Sequence, residues 1–232
     1  MVRSMGFSQA DLHIHTTCSD GTATPEQVAR ILAGSRLAVA AVTDHDTVEG
    51  ALRVREALAG HGPEIVTGTE VSTADGHVLA LFVDRPFPAG RSARETVELI
   101  HERGGLAIAA HPYFPIESVG DLAARLPFDA IEVANGTILG ELGNLQARRR
   151  LARHARAVVG GSDAHVAVAV GHVHSLFPGR TAADLRVAIE RGETRPVFGW
   201  AWHLRIAPTL AAAQARSLVR DIIGRRSEPL RA

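Results

Sequence analysis

The stretch Ala10-Asp11-Leu12-His13-Ile14-His15 alternates between apolar and polar side chains with period two. A strand is therefore predicted over 10–15, with His13 and His15 projecting from one face and able to grip one ion together. Further apolar runs repeat the arrangement of a short strand with chemistry at its end. Val39 to Thr43 leads into Asp44-His45-Asp46, Glu64 to Val71 carries Glu70, Leu106 to Ala110 leads to His111-Pro112, and Ala157 to Gly160 leads to Ser162-Asp163-Ala164-His165. Val78 to Val83 and Ala130 to Val133 complete a set of seven predicted strands, with His77 directly before one and Asn135 closing the other.

Helical patterns separate these runs, which is the order expected of a βα-repeat fold with a mainly parallel sheet. Thr24-Pro25-Glu26-Gln27 combines a hydroxyl cap, a proline at the first helical position and a back-bonding glutamine. Ser92 with Glu95 and Asp46 with Glu49 suggest the same reciprocal cap, and Thr181 is expected to open a helix before Asp184. Leu210, Ala213, Leu218 and Ile222 predict a final amphipathic helix within about 208–223. In a parallel barrel the carboxyl ends of the strands gather on one face, so five distant segments would deliver nitrogen and oxygen ligands to one place.

Bulk composition narrows the chemistry. The 232 residues are 46% hydrophobic, enough for a sizeable core, and are read as one domain. The 25 basic and 25 acidic residues balance, so there is no global field for nucleic acid or an anionic membrane. Every one of those basic residues is arginine, which excludes Schiff-base and lysine-nucleophile chemistry. Cys18 has no partner for an internal disulfide, and the opening MVRSMGFSQ lacks the apolar core of a secretory signal. With no run of about 18 apolar residues, a cytoplasmic protein without a membrane partner is expected. Imidazole plus carboxylate without thiolate suits zinc, manganese or iron better than calcium or magnesium.

The ordered series D-x-H-x-H-T-x-x-S-D-G over 11–21, T-D-H-D over 43–46, G-x-E over 68–70, His77, His111-Pro112 and G-S-D-A-H over 161–165 resembles the PHP family, named for polymerase and histidinol phosphatase. The resemblance covers about 9–200. It implies a distorted (β/α)7 TIM-like barrel, a single PHP domain spanning 1–232, and a centre of two or three divalent ions. It also implies the grouping. His13, His15, Glu70 and Asp163 would hold one ion, Glu70 would bridge to a second bound by His77 and His111, and Asp20, His45 and His165 would hold a third. Family members that cleave nucleotides often carry an inserted cap. Here only 33 residues separate His77 from His111, enough for a strand and a helix, so an open site is expected.

The reaction implied is hydrolysis of phosphate esters, with nucleotides or oligonucleotides, including short single strands, ranked first and histidinol-phosphate-type small molecules second. A hydroxide bridging the ions beside Glu70 would attack phosphorus, with Asp163 or a bound water as proton donor. Asn135 and Tyr113 are candidate substrate contacts, each weighed against a plain turn residue. Amidohydrolases share barrels that open with H-x-H, but many bridge their metals with a carboxylated lysine, which this sequence cannot supply. A metal-stapled scaffold without activity is the non-enzymatic alternative.

The blander readings are structural. Asp20 could shape the Ser19-Asp20-Gly21 turn, His77 could sit in a surface turn, and Asp44 could orient His45 or stand in solvent. Asp46 is read as a helix cap and Cys18 as a packing residue. His172 and His174 share a predicted strand face but are read as background, as are His61, His101, His154 and His203. Arg148, Arg149, Arg150, Arg153 and Arg156 are read as a solvated face rather than a nucleic-acid track.

Overall fold

A computed structural model describes residues 6–137 and 140–198. The predicted helix within 208–223 and His203 lie outside the described residues. Nine strands, β1 Phe7–Asp11, β2 Val39–Val42, β3 Glu64–Thr73, β4 Gly76–Leu81, β5 Leu106–Ala109, β6 Ala130–Asn135, β7 Val158–Gly161, β8 His174–Pro178 and β9 Arg195–Val197, form one sheet in the order β7-β6-β5-β4-β3-β2-β1-β8-β9. The sheet curls into a nearly closed barrel.

The mainly parallel expectation needs correction. β1 with β2, β2 with β3, β5 with β6 and β6 with β7 run parallel, whereas β3 with β4, β4 with β5, β1 with β8 and β8 with β9 run antiparallel. The reason lies in connection length. Thr73 pairs with Gly76 across a link of only two residues, and so short a link can join only antiparallel strands. Gly76 takes φ +129°, and a Cβ there would stand 2.4 Å from the Ser118 carbonyl carbon.

Side chains stitch the seam where β7 returns to β1 and β8. Ser175 Oγ donates to the Gly160 carbonyl at 3.0 Å and accepts the Gly160 N–H at 2.8 Å. Asp11 Oδ1 accepts the Ser162 N–H at 2.9 Å. Above them, Ile14 and Ala164 form a single parallel bridge, with the His15 N–H on the Ala164 carbonyl at 3.1 Å. The predicted strand over 10–15 therefore ends early, at Asp11. His13 and His15 stand on an extended segment beyond it, pinned by that bridge.

Helices α1 Pro25–Ala33, α2 Glu49–Leu58, α3 Ala93–Glu102, α4 Glu141–Arg150 and α5 Ala182–Arg191 pack outside the sheet. α1 and α3 carry complete capping boxes, Thr24 with Gln27 and Ser92 with Glu95, as the spacing predicts, and the helix that Thr181 opens has one too, with Asp184. Such a cap stabilises a helix by about 1 kcal/mol. α2 differs: Asp46 is not its cap. Asp46 adopts φ +53° and its Oδ1 accepts the Ser72 N–H at 2.8 Å, tying the loop after β2 to β3.

Val28 and Leu32 of α1 and Val54 and Leu58 of α2 bury one apolar layer against Ile14, Ala40 and Val42. Inside the barrel, Leu12, Val39, Leu79, Leu81, Ile108 and Phe177 fill a second layer. Burial of each such side chain is worth roughly 1.5–3 kcal/mol. This packing makes the floor on which the polar strand ends stand.

Candidate metal centre

All nine sequence-predicted ligands meet at one rim of the barrel. Glu70, near the end of β3, stands at the centre because β3 pairs with β4 on one side and its Glu70 N–H reaches the carbonyls after β2 on the other. Glu70 Oε2 lies 3.0 Å from His13 Nε2, 3.1 Å from His15 Nε2 and 3.5 Å from His45 Nε2. Its Oε1 lies 3.0 Å from both His77 Nδ1 and His111 Nε2. One carboxylate thus faces five imidazoles.

Asp163 Oδ1 reaches His13 Nε2 at 3.5 Å, His15 Nε2 at 3.3 Å and His165 Nδ1 at 3.3 Å. Asp20 Oδ2 pairs with His165 Nε2 at 2.8 Å, and its Oδ1 lies 3.3 Å from His15 Nδ1. Four groups bring potential ligand atoms within 4.8 Å of one another: His15, Asp20, His45 and His165; His13, His15 and Glu70; His13, His111 and Asp163; and His45, Glu70 and His77. These overlap the grouping that the family resemblance implies, with His13, His15, His45 and Glu70 each shared between two groups.

Electrostatics and strain mark the same residues. Burial alone would raise the Glu70 carboxyl, but the imidazoles of His13, His77 and His45 outweigh it and hold Glu70 well below the ordinary carboxylate range. Asp163 behaves likewise, with burial overcome by His13, His15 and His165. An acid held that low is ionised at neutral pH, so Asp163 is unsuited to donate a proton to a leaving group. Burial depresses His45 to about 4. His111 and Asp163 take positive φ, +27° and +49°, an uncommon backbone for residues other than glycine that tends to collect at functional sites.

The donor set fits divalent cations. His15 Nδ1 and Nε2, His77 Nδ1, His111 Nδ1 and Asp163 Oδ1 are buried and make no hydrogen bond despite close neighbours. Each such atom costs about 1–3 kcal/mol in an interior unless something else engages it. A cation between clustered nitrogens and oxygens does so, and the absence of sulfur suits zinc, manganese or iron.

The remaining sequence candidates fall around the cluster. Asn135 is fully buried, and its amide donates to Glu132 Oε2 at 2.9 Å and Asp163 Oδ2 at 3.1 Å, so its side chain is engaged by other site residues. Tyr113 donates its hydroxyl to Asp121, with the Arg150 guanidinium over its ring. Asp44 does not orient His45. It accepts the Thr16 N–H at 2.7 Å, the Thr16 hydroxyl at 2.8 Å and the Ser19 hydroxyl at 2.7 Å, shaping the turn that presents Asp20. His172 and His174 do not share a strand face: β8 begins at His174, and His172 Nδ1 contacts the Ala169 carbonyl. His101 pairs with Asp129 at 2.8 Å away from the cluster. Arg148, Arg149 and Arg150 are exposed on the last turn of α4.

Sequence reasoning missed Glu132, whose signal was a charged residue inside the otherwise apolar run Ala130 to Val133. It also missed Asp11 as the seam clamp.

Residues 11–160 match the sequence model of the PHP domain, and residues 141–194 match a PHP-associated one. The chain belongs to the PHP family, and this fold with this site defines the class of metal-dependent phosphoesterases. An uncharacterised protein of Methanocaldococcus jannaschii is 37% identical over 139 residues, covering 55% of this chain and 81% of that protein. A 5'-3' exoribonuclease of Salmonella typhimurium is 37% identical over 87 residues, which is 35% of this chain and 30% of the exoribonuclease. The chain thus spans less than a third of that enzyme. Among solved structures, a two-domain protein from Bacteroides vulgatus, described as containing a predicted PHP-like metal-dependent phosphoesterase, superposes with a TM-score of 0.68 at 18% identity, over 84% of this chain and 66% of that one. No helix among the described residues is long and apolar enough to cross a membrane.

Proposed function

We propose that this chain hydrolyses phosphate esters of nucleotides or oligonucleotides, using two or three divalent ions of zinc, manganese or iron held by His13, His15, Asp20, His45, Glu70, His77, His111, Asp163 and His165. The observation that carries this reading is the convergence of those nine side chains, brought from six separate segments, around Glu70. Ions bound there would supply an acidified water and a clamp on phosphoryl oxygens.

The protein's own part follows from the geometry. Glu70 presents both oxygens to imidazoles and stays ionised, so it can serve two ions at once. Among the nine, His45 and His165 have the most exposed side chains, 23% and 15%, so substrate approaches over them while the other side of the cluster stays dry. Asp163, being ionised, is placed to hold an ion through Oδ1 while Oδ2 accepts the hydrogen bond from the Asn135 amide. The proton for the leaving oxygen then comes from solvent on the open side. The likeness to an exoribonuclease supports an oligonucleotide ester as substrate.

The test is a screen of chelator-stripped protein, reloaded with zinc, manganese or iron, against mononucleotides, nucleoside bisphosphates, histidinol phosphate and short single strands. Metal-dependent release of phosphate or mononucleotide from a nucleotide substrate is expected. Inactivity on every phosphoester under every metal contradicts the proposal.

A further inference from the structure

Glu132 sits in the middle of β6, 1% exposed, behind the cluster rather than in it. Its Oε1 lies 3.2 Å from His13 Nδ1. Its Oε2 accepts the His111 backbone N–H at 2.9 Å and the Asn135 amide at 2.9 Å. Two of these neighbours are obligate donors, and a carboxylate occupied by them has only acceptor sites left for the third. Against an ionised Glu132, His13 Nδ1 carries the proton, which leaves the lone pair on Nε2, the nitrogen that faces Glu70 Oε2 and Asp163 Oδ1 at 3.0 and 3.5 Å.

Asn135 extends the same device. Its amide oxygen accepts the Thr137 N–H at 2.9 Å and hydroxyl at 2.8 Å, which fixes which end of the amide is nitrogen. Its backbone is held by Asn144 through two hydrogen bonds of 2.9 and 2.8 Å. The nitrogen then spans Glu132 Oε2 and Asp163 Oδ2. With Oδ2 engaged, the unbonded Oδ1 of Asp163 is turned to the imidazoles of His13, His15 and His165. Gly161 leaves room for this arrangement, since a Cβ there would lie 2.6 Å from His13 Cβ and 2.7 Å from Glu132 Oε1.

We propose that Glu132 and Asn135 are a buried pair of positioning residues, which set the His13 tautomer and the rotation of Asp163 together so that His13 Nε2 and Asp163 Oδ1 serve the same cation. This inference rests on the metal reading above. It makes the two ligands interdependent, because one carboxylate and one amide restrain both.

Calorimetric titration of chelator-stripped protein with zinc alone tests it. Glu132→Gln places an amide nitrogen against either His13 Nδ1–H or the donors of His111 and Asn135, and is expected to weaken zinc binding by roughly 10–100-fold. Wild-type binding with an unchanged Glu132→Gln affinity overturns the positioning role alone. A wild-type protein that binds no zinc overturns the metal reading and this inference with it. Should Glu132→Gln fail to fold, the ring-nitrogen NMR spectrum of zinc-loaded wild type decides, with His13 identified by its loss in His13→Gln. Protonated Nδ1 with coordinated Nε2 is expected, and the reverse tautomer refutes the proposal.

Discussion

The Asp11 carboxylate and the Ser162 backbone N–H, 151 positions apart in sequence, meet at 2.9 Å across the seam of the barrel. Asp11 also accepts the His13 N–H at 3.3 Å and the Gly171 N–H at 2.7 Å. One fully buried side chain thus holds the segment bearing His13 and His15, the segment bearing Asp163 and His165, and the approach to β8.

Asp11→Asn is expected to destabilise the fold, because asparagine replaces one acceptor oxygen with a donor and leaves a buried N–H unsatisfied. The cost is about 1–3 kcal/mol. Urea denaturation of metal-free protein measures it, and an unchanged midpoint is the contrary result.

Gly161→Ala forces a methyl into the space between His13 and Glu132. Overpacking of this kind costs typically 1–3 kcal/mol. Because the clash falls on the His13 ring mount, zinc stoichiometry should drop along with the melting temperature. A variant that is merely less stable yet binds zinc normally would show that the His13 position tolerates the displacement.

Glu70→Gln replaces the carboxylate that faces five imidazoles with a neutral amide. Metal affinity should fall further than the roughly 10–100-fold that loss of an outer hydrogen-bond partner costs. Elemental analysis after gel filtration reads the outcome, and full metal retention would remove Glu70 from the centre of the site.

His174, partly buried at the start of β8, has its pKa lowered by burial, with its bond to the Gly171 carbonyl opposing. The folded state therefore refuses a proton that the unfolded chain takes up below about 6.5. Stability from this residue is intact above that pH and is lost as pH falls toward the folded value. The stability of wild type relative to His174→Gln, followed by denaturant midpoint from pH 7.5 to 5, should decline on acidification. A difference independent of pH would contradict the assignment.

Much of the site was legible because metal chemistry leaves type and order in a sequence. His13, Glu70 and Asp163 each follow or end an apolar run, and such positions gather on one rim whatever the details of the barrel. The strand directions were less legible: the Ala74-Asp75 link turns β3 back into β4, and a two-residue connection without glycine or asparagine at its centre gives a weak hairpin signal. β9 escaped notice because it is only three residues long, and the strand face read at His172 and His174 falls ahead of β8, which starts at His174. The roles of Asp46, Asp44 and Asn135 depend on partners 26, 28 and 28 positions away, Ser72, Thr16 and Asp163, which no local pattern reveals.

The most direct test joins occupancy to turnover. Chelator-stripped protein is titrated with manganese or zinc while hydrolysis of a short oligonucleotide is followed, with Glu70→Gln as the blank. Activity should rise with the first equivalents, level off at two to three ions per chain, and be absent from the blank. Binding of two or three ions with no cleavage of any phosphoester, or equal cleavage by Glu70→Gln, would contradict the assignment of this cluster as the catalytic centre.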